Sequence, residues 1–191
     1  MLNSIQKAFK VKEVRERLLY TFMMLIVIRI GSCLPIPGVD ASFLKEFFTN
    51  LQNSGMGFVN AITGGSFSNM SLFALSITPY ITSSIMQLMT IAIPKLEEMQ
   101  KEGEDGRKKI AEYTRYLTVA LALFQSSAMA IGFGKQGLLY EDAQNVWGYM
   151  TVIAAMTAGS ALLMWIGERI TEKGVGNGIS IVLLINIVSS L

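Results

Sequence analysis

The sequence predicts an all-α polytopic membrane protein, and three observations carry this prediction. Hydrophobic residues make up 51% of the 191 residues and charged residues only 16%, against about 25% charged in a typical soluble domain. The charges are gathered into short segments that separate long apolar runs. Lysine and arginine are concentrated in alternate segments, which is expected when loops lie on the two sides of a membrane.

The chain begins with a basic segment that leads into a first apolar run. We predict that residues 1–17 form a cytoplasmic helix at the membrane surface and that residues 18–34 form span one. A signal peptide is disfavoured because the run contains Arg29, has no small-residue cleavage site after it, and is followed by further spans. Arg29 lies near the outer end of this span, where a structural role is favoured over a functional one.

Residues 35–70 form the next connection, and its second part has an unusual composition. No Asp, Glu, Lys or Arg occurs from Phe47 to Pro94, yet residues 57–70 mix apolar side chains with Asn, Thr, Ser and Gly. A helix of about 12 residues extends about 18 Å, too little to cross a membrane. Half-polar backbone is tolerated at membrane depth where it is buried in protein or lines a water-filled cavity. We therefore predict a re-entrant segment, with a polar surface loop as the alternative.

The remaining apolar runs predict four further spans. We place them at residues 71–93, 116–133, 146–167 and 179–191. Pro79 lies within the first of these, where it should kink the helix and free backbone groups near Leu75. The last run has 13 residues, which is about 20 Å of helix against a hydrocarbon core of about 30 Å. We therefore expect a piece of a longer protein.

The distribution of lysine and arginine predicts the orientation of the chain. The N-terminal segment, the 94–115 loop and the turn after span four hold five, six and two of these residues, whereas the alternate side holds only Lys45 and Lys135. Loops rich in Lys and Arg remain in the cytoplasm. The N-terminus and the 94–115 loop are therefore predicted to be cytoplasmic, and the half-polar 57–70 segment to be external.

Few residues carry the chemistry that catalysis would need. The chain has no histidine and one cysteine, and the predicted spans contain no paired carboxylates. Hydrolases, metal sites and ion-coupled carriers are therefore poorly supported, and we predict neither an enzyme nor a cofactor. The basic run of Arg107, Lys108 and Lys109 is best explained as a positive-inside anchor, and it is a candidate contact for an acidic cytosolic partner.

Two pairs of apolar residues share helix faces. Ile77 and Ile81 flank Pro79 at a spacing of four, and Leu183 and Ile187 have the same spacing in the last run. Residues four apart lie on one face of a helix. On spacing alone, both pairs are ordinary packing residues.

Three stretches resemble the SecY family, the central subunit of the bacterial protein-conducting channel. They are "FALSITPYITSSIMQLM", "KEGEDGRKKIAEYTRY" and "MWIGERITEKGVGNGISI", and the similarity extends in order over essentially the whole chain. The resemblance implies a ten-span channel built from two five-span halves in inverted repeat, of which this chain would be the N-terminal half. It also implies a position in the plasma membrane, with the N-terminus in the cytoplasm.

The resemblance assigns roles to particular residues. A ring of apolar side chains would form the narrowest point of the channel, and Ile77, Ile81, Leu183 and Ile187 match ring positions, although Leu183 departs from the usual isoleucine. The segment before span two would be the plug, a short helix that blocks the resting channel from its external funnel. The matching plug positions are Phe58, Val59, Asn60, Ala61, Ile62, Thr63, Gly64, Gly65, Ser66 and Phe67.

The implied function is that of a pore-forming translocase subunit. It would pass unfolded secretory chains across the membrane and release hydrophobic segments into lipid through a lateral gate, which spans two and three would help to form. Implied partners are SecE, SecG, the SecA motor or the ribosome, substrate chains, the lipid bilayer and the C-terminal half of the same subunit. One inverted repeat of a secondary transporter is the alternative, but it would need ligand-binding polar groups at the midplane of the spans. A membrane scaffold without a conduit is a third interpretation.

Overall fold

The computed structural model of the chain describes residues 11–39, 55–137, 139 and 145–190, except for the side chains of Met56 and Ser190. The first part of the predicted interfacial helix, most of the external connection before the plug, and Leu191 lie outside the described residues. Regular structure within the described residues is helical apart from two isolated antiparallel bridges, which join Pro35 to Ser71 and Val39 to Leu139.

The helices differ widely in length. In chain order they are α1 Lys12–Cys33, α2 Gly55–Ile62, α3 Ile77–Ala92, α4 Pro94–Lys101, α5 Glu104–Lys135, α6 Val146–Lys173 and α7 Gly178–Ser190. Among the described residues, α5 and α6 are long and apolar enough to cross a membrane. The assignment of α1, α3 and α7 as spans remains a prediction.

Helix α1 runs without a break through the predicted boundary between the interfacial segment and span one. Its charged start is stabilised by ion pairs at i, i+4 spacing, including one of 3.3 Å between Arg17 and Glu13. The apolar part buries Ile28 and leaves Phe22 and Met23 about two-thirds exposed, which suits a helix that is packed on one side and in contact with lipid on the other. The helix ends just before Pro35, because a proline disfavours helical conformation in the residue before it.

Helix α6 packs against α1, α3, α5 and α7. The contact with the segment before α3 is especially close. A Cβ atom added to Gly159 would lie 1.9 Å from the backbone oxygen of Leu72, so only glycine allows this approach. One turn of α6 therefore holds the chain that enters α3.

The apolar run at 71–93 is not one helix, because residues 72–76 form turns and α3 begins at Ile77. Pro79 consequently occupies the first helical turn, where its missing N–H removes no intrahelical hydrogen bond. The Leu75 carbonyl accepts hydrogen bonds from the Thr78 N–H and from the Ser160 hydroxyl of α6, each at 3.2 Å. The backbone group that proline was expected to free is thus satisfied from another helix.

Buried hydroxyl groups are largely satisfied within their own helices. Donation to the carbonyl four residues earlier lets a helix carry Thr or Ser at membrane depth without an unpaired polar group. Two further contacts join neighbouring helices, one between Thr78 and Gln125 and one of 3.0 Å between Ser126 and Thr157. The residues that donate to their own helix in this way include Ser32, Thr82, Thr90, Thr118 and Thr157.

Candidate functional site

The predicted plug positions lie on the short helix α2 and on the turns that follow it to Met70. The end of α2 is closed by its own polar side chains. The Thr63 hydroxyl is 3.0 Å from the Asn60 carbonyl and also accepts from the Phe67 N–H at 3.3 Å. The Asn60 side-chain oxygen accepts from the Ser68 N–H at 2.9 Å. These residues therefore satisfy the backbone of a compact fold-back rather than the backbone of an extended loop.

Two adjacent glycines turn the chain after α2. Gly64 and Gly65 have φ values of 64° and 78°, in the left-handed region that only glycine adopts without strain. The Gly65 N–H then donates to the Asn60 carbonyl at 3.0 Å. The pair of Gly64 and Gly65 is therefore the point at which the segment reverses direction.

The segment is fixed at its far end by pairing with the chain that follows α1. The Ile36 N–H donates to the Met70 carbonyl and the Leu72 N–H to the Leu34 carbonyl, each at 2.9 Å. Phe67 and Met70 are buried in one apolar cluster with Ile36. The exit from the segment, the start of the external connection and the entry to α3 are therefore held together.

One side of the segment is seated against α7. A Cβ atom added to Gly64 would lie 2.6 Å from the Ser189 Oγ and 2.7 Å from the Asn186 carbonyl oxygen, so the Gly64 backbone touches α7 directly. Thr63 and Ser66 are fully buried, whereas Phe58 is 70% exposed. The segment thus has one face packed on the protein and another face open.

Two buried polar atoms, one in the segment and one in α7, have no hydrogen-bond partner among the described residues. These are the Asn186 Oδ1 atom of α7 and the Ser66 Oγ atom of the turns. A buried polar group without a hydrogen bond costs about 1–3 kcal/mol. Each of these two atoms therefore adds a cost to the packed arrangement in which it is buried.

The four predicted ring residues lie on α3 and α7, two helices that contact each other. Ile77 and Leu183 are half-buried, while Ile81 and Ile187 are 42% and 38% exposed. The buried face of α3 instead carries Thr78, Thr82, Met86 and Thr90. All four ring candidates therefore retain apolar surface that the described part of the chain leaves uncovered.

The basic run lies in the first turns of α5, where Arg107, Lys108 and Lys109 are all exposed. Lys108 is 3.8 Å from the Asp105 carboxylate. Arg107 and Lys108 also line a cavity of about 660 Å³ between the start of α5 and the end of α6. The structure therefore leaves these side chains accessible to a partner without identifying one.

Sequence patterns did not predict the ion pair that closes this end of the fold. Arg115 of α5 contacts the Glu168 carboxylate of α6 through Nε and Nη2, the shortest distance being 2.8 Å. The two residues are 53 positions apart, so neither helix shows the pairing by itself. Arg115 directly precedes the predicted 116–133 span and Glu168 directly follows the predicted 146–167 span, and this placement on one side of the membrane was the available signal. No group of side chains that could hold a metal ion occurs among the described residues.

Comparison with known proteins agrees with this architecture. The family model of SecY matches residues 71–191. The protein translocase subunit SecY of Escherichia coli K12 is 45% identical over 184 residues, which are 94% of this chain and 41% of that protein. The protein of the same name from Streptomyces scabiei is 41% identical over 202 residues, covering 100% of this chain and 46% of the relative.

These matches and the helical fold define the class as translocase subunits of the membrane. The chain belongs to the SecY family. It spans between two-fifths and one-half of the length of these curated relatives.

Proposed function

We propose that this chain supplies the N-terminal part of a pore-forming translocase subunit, which passes unfolded secretory chains across the plasma membrane and releases hydrophobic segments into lipid. The observation that carries the proposal is the juxtaposition at α7. This helix bears two partly uncovered apolar ring candidates, Leu183 and Ile187, and it also seats Gly64 of the half-polar segment. A constriction and its plug would need such a shared support.

The ring candidates suit a seal that acts on chains of any sequence. Ile77, Ile81, Leu183 and Ile187 offer apolar surface without hydrogen-bonding groups. An apolar neck binds water poorly and can gate by dewetting. It also makes no directional bond to a passing polypeptide, so it would close around different side chains alike.

The half-polar segment suits a plug because its contacts are compatible with release. Its internal hydrogen bonds, such as that between the Ser68 N–H and Asn60, hold its own shape. Ser66 of the segment and Asn186 of α7 each carry a buried polar atom without a hydrogen-bond partner among the described residues, and such a group costs free energy for as long as it stays buried. The segment could therefore move as one unit while keeping its fold.

Other parts of the proposal concern partners. Helices α3 and α5 would contribute to a lateral gate against the C-terminal half of the subunit, and SecE and SecG would complete the complex. The exposed run of Arg107, Lys108 and Lys109 would offer a secondary contact to the SecA motor or the ribosome. Its positive charge suits an acidic surface.

The secondary-transporter alternative is not favoured. The relatives are named protein translocase subunits, and many buried hydroxyls of α3 and α5, such as those of Thr82 and Thr118, bond to their own helices. Such groups are not left available to a ligand. A binding site for a small solute would need unsatisfied polar groups near the midplane.

The proposed pore can be tested by crosslinking. A photoreactive side chain at Ile81 of the complete translocase should crosslink to a secretory chain arrested during passage, because Ile81 would face the conduit. The same group at Met150 of α6 should not, although Met150 is 60% exposed against 42% for Ile81. Equal crosslinking at the two positions, or crosslinking at Met150 alone, would argue against the pore assignment.

The orientation predicted from Lys and Arg can be tested at the two ends of α5. In a Cys33→Ser background, which removes the exposed native thiol, a cysteine at Gln136 should react with a membrane-impermeant reagent from outside the cell. One at Glu102 should react only after permeabilisation. The 32 residues of α5 extend about 48 Å, longer than a bilayer of about 40–45 Å. Labelling of the Glu102 position from outside the cell would show that the predicted orientation is wrong.

A further inference from the structure

Arg29 makes a contact that span anchoring does not require. It is the one charged residue in the apolar part of α1. Its Nη1 atom donates to the Ser189 Oγ atom of α7 at 2.7 Å, across 160 positions of sequence. Among the described residues, no carboxylate forms an ion pair with Arg29 within 4.0 Å. The guanidinium is therefore directed at a neutral hydroxyl, in a charge-assisted hydrogen bond.

Ser189 is also the residue that meets the half-polar segment. Its hydroxyl donates to the Asn186 carbonyl at 2.8 Å and accepts from Arg29, so both functions of the hydroxyl are used and its rotamer is fixed. The same Oγ atom would lie 2.6 Å from a Cβ atom at Gly64. The atom that Arg29 holds is thus part of the surface on which Gly64 rests.

A fixed Ser189 matters because the approach at Gly64 leaves no spare space. If Ser189 lost its donor from Arg29, its Oγ atom would no longer be held in the position that the Gly64 backbone meets, and the close packing at this point would loosen. Interfaces packed this closely respond to shifts smaller than one methyl group. Arg29 therefore influences the seat without touching the segment.

We propose that Arg29 is a positioning residue for the plug, acting through Ser189 to hold the surface of α7 against which Gly64 docks. This inference rests on the proposed plug function. It assigns to the half-buried charge of α1 a role in the closed state of the channel. Simple anchoring of α1 to α7 would instead have an effect that does not depend on the plug.

The experiment measures resting ion conductance of the complete translocase in proteoliposomes. Arg29→Gln should raise the conductance about tenfold, because loss of a charge-assisted hydrogen bond shifts the docked-to-undocked ratio by about that factor. Ser189→Ala should have a similar effect, and the double variant should leak no more than Ser189→Ala. Arg29→Lys, which retains a charged donor, should stay close to the parent.

Measuring the leak in a plug-deleted background separates plug positioning from general structural damage. In a channel that lacks residues 58–67, Arg29→Gln and Ser189→Ala should cause no further leak. An equal increase with and without the plug would overturn the proposal. If Arg29→Gln fails to assemble, Ser189→Ala carries the same comparison, since it removes one hydroxyl from α7.

Failure of this inference is distinguishable from failure of the plug assignment. If deletion of residues 58–67 raises the leak while Arg29→Gln and Ser189→Ala do not, the positioning role is wrong and the plug remains. If the deletion leaves the leak unchanged, the plug assignment is wrong, and the role of Arg29 is overturned with it.

Discussion

Replacing Ile77 and Ile81 together with asparagine should make the resting translocase leak ions, by about tenfold or more. Both residues lie on α3, one helical turn apart, and Ile81 is 42% exposed in the described chain. Asparagine would place hydrogen-bonding groups in an apolar neck, where an unsatisfied polar group otherwise costs about 1–3 kcal/mol. About 1.4 kcal/mol off the barrier to ions corresponds to a tenfold change in rate. Conductance across planar bilayers measures the effect directly.

Helix α7 provides a matched comparison for this prediction. Leu183→Asn with Ile187→Asn should also raise the leak, because these residues would complete the ring from the second helix. Leu184→Asn with Val188→Asn introduces the same chemistry at the same spacing, about 100° around the helix. Those two positions are more exposed, at 62% and 55%, yet they should leave the conductance near that of the parent. If the Leu184/Val188 variant leaks as much as the ring variants, the leak reflects added polarity anywhere on α7, and the ring assignment is wrong.

Substituting alanine for Gly64 should displace the proposed plug from α7, and the same substitution at Gly65 should not. Both glycines have positive φ, at 64° and 78°, so the backbone strain added by alanine, about 1–2 kcal/mol, is shared. At Gly64 the new Cβ would lie 2.7 Å from the Asn186 carbonyl oxygen, whereas at Gly65 the nearest atom is 4.0 Å away. Overpacking costs about 1–3 kcal/mol, so we expect about a tenfold higher leak for Gly64→Ala than for Gly65→Ala.

Deletion of residues 58–67 sets the upper reference for that comparison. The deletion should raise the resting leak at least as far as Gly64→Ala while leaving translocation of a secretory chain possible. Equal conductance for the two alanine variants would show that contact with α7 does not control closure. An unchanged conductance after the deletion would favour a surface loop over a plug.

The sequence carried most of the information about the half-polar segment itself. The informative features are all local: the lack of charge, the mixture of apolar and small polar residues, and the Gly64-Gly65 pair. The fold-back that they predict is closed by local hydrogen bonds of Asn60 and Thr63. The seat was not predictable in the same way. It depends on where α7 lies, and α7 follows the segment by more than one hundred residues.

Hydropathy could not separate the turns at 72–76 from the helix that follows them. Phe73 and Ala74 are almost fully buried, and buried positions carry apolar residues in turns as well as in helices. Their hydropathy is therefore the same in either conformation. The conformation is decided by two residues of α6 that are distant in sequence. The Ser160 hydroxyl donates a hydrogen bond to the Leu75 carbonyl, and Gly159, which has no side chain, allows the Leu72 backbone to approach closely. Pro79 was the local indication of a break in the helix. The contact that fixes the break, between Ser160 and Leu75, joins residues 85 positions apart.

The anchored start of α3 gives that helix a pivot. Leu72 and Leu75 are held by α6 and by the chain after α1, whereas the regular helix of α3 begins only at Ile77. Ile81 lies about 6 Å from that start and Ala92 about 22 Å from it. A tilt about the pivot would therefore displace the far end about four times as much as the ring. In the proposed translocase function, such a lever would let one end of α3 swing aside for a departing hydrophobic segment, while the proposed neck keeps a nearly constant width around the chain inside it.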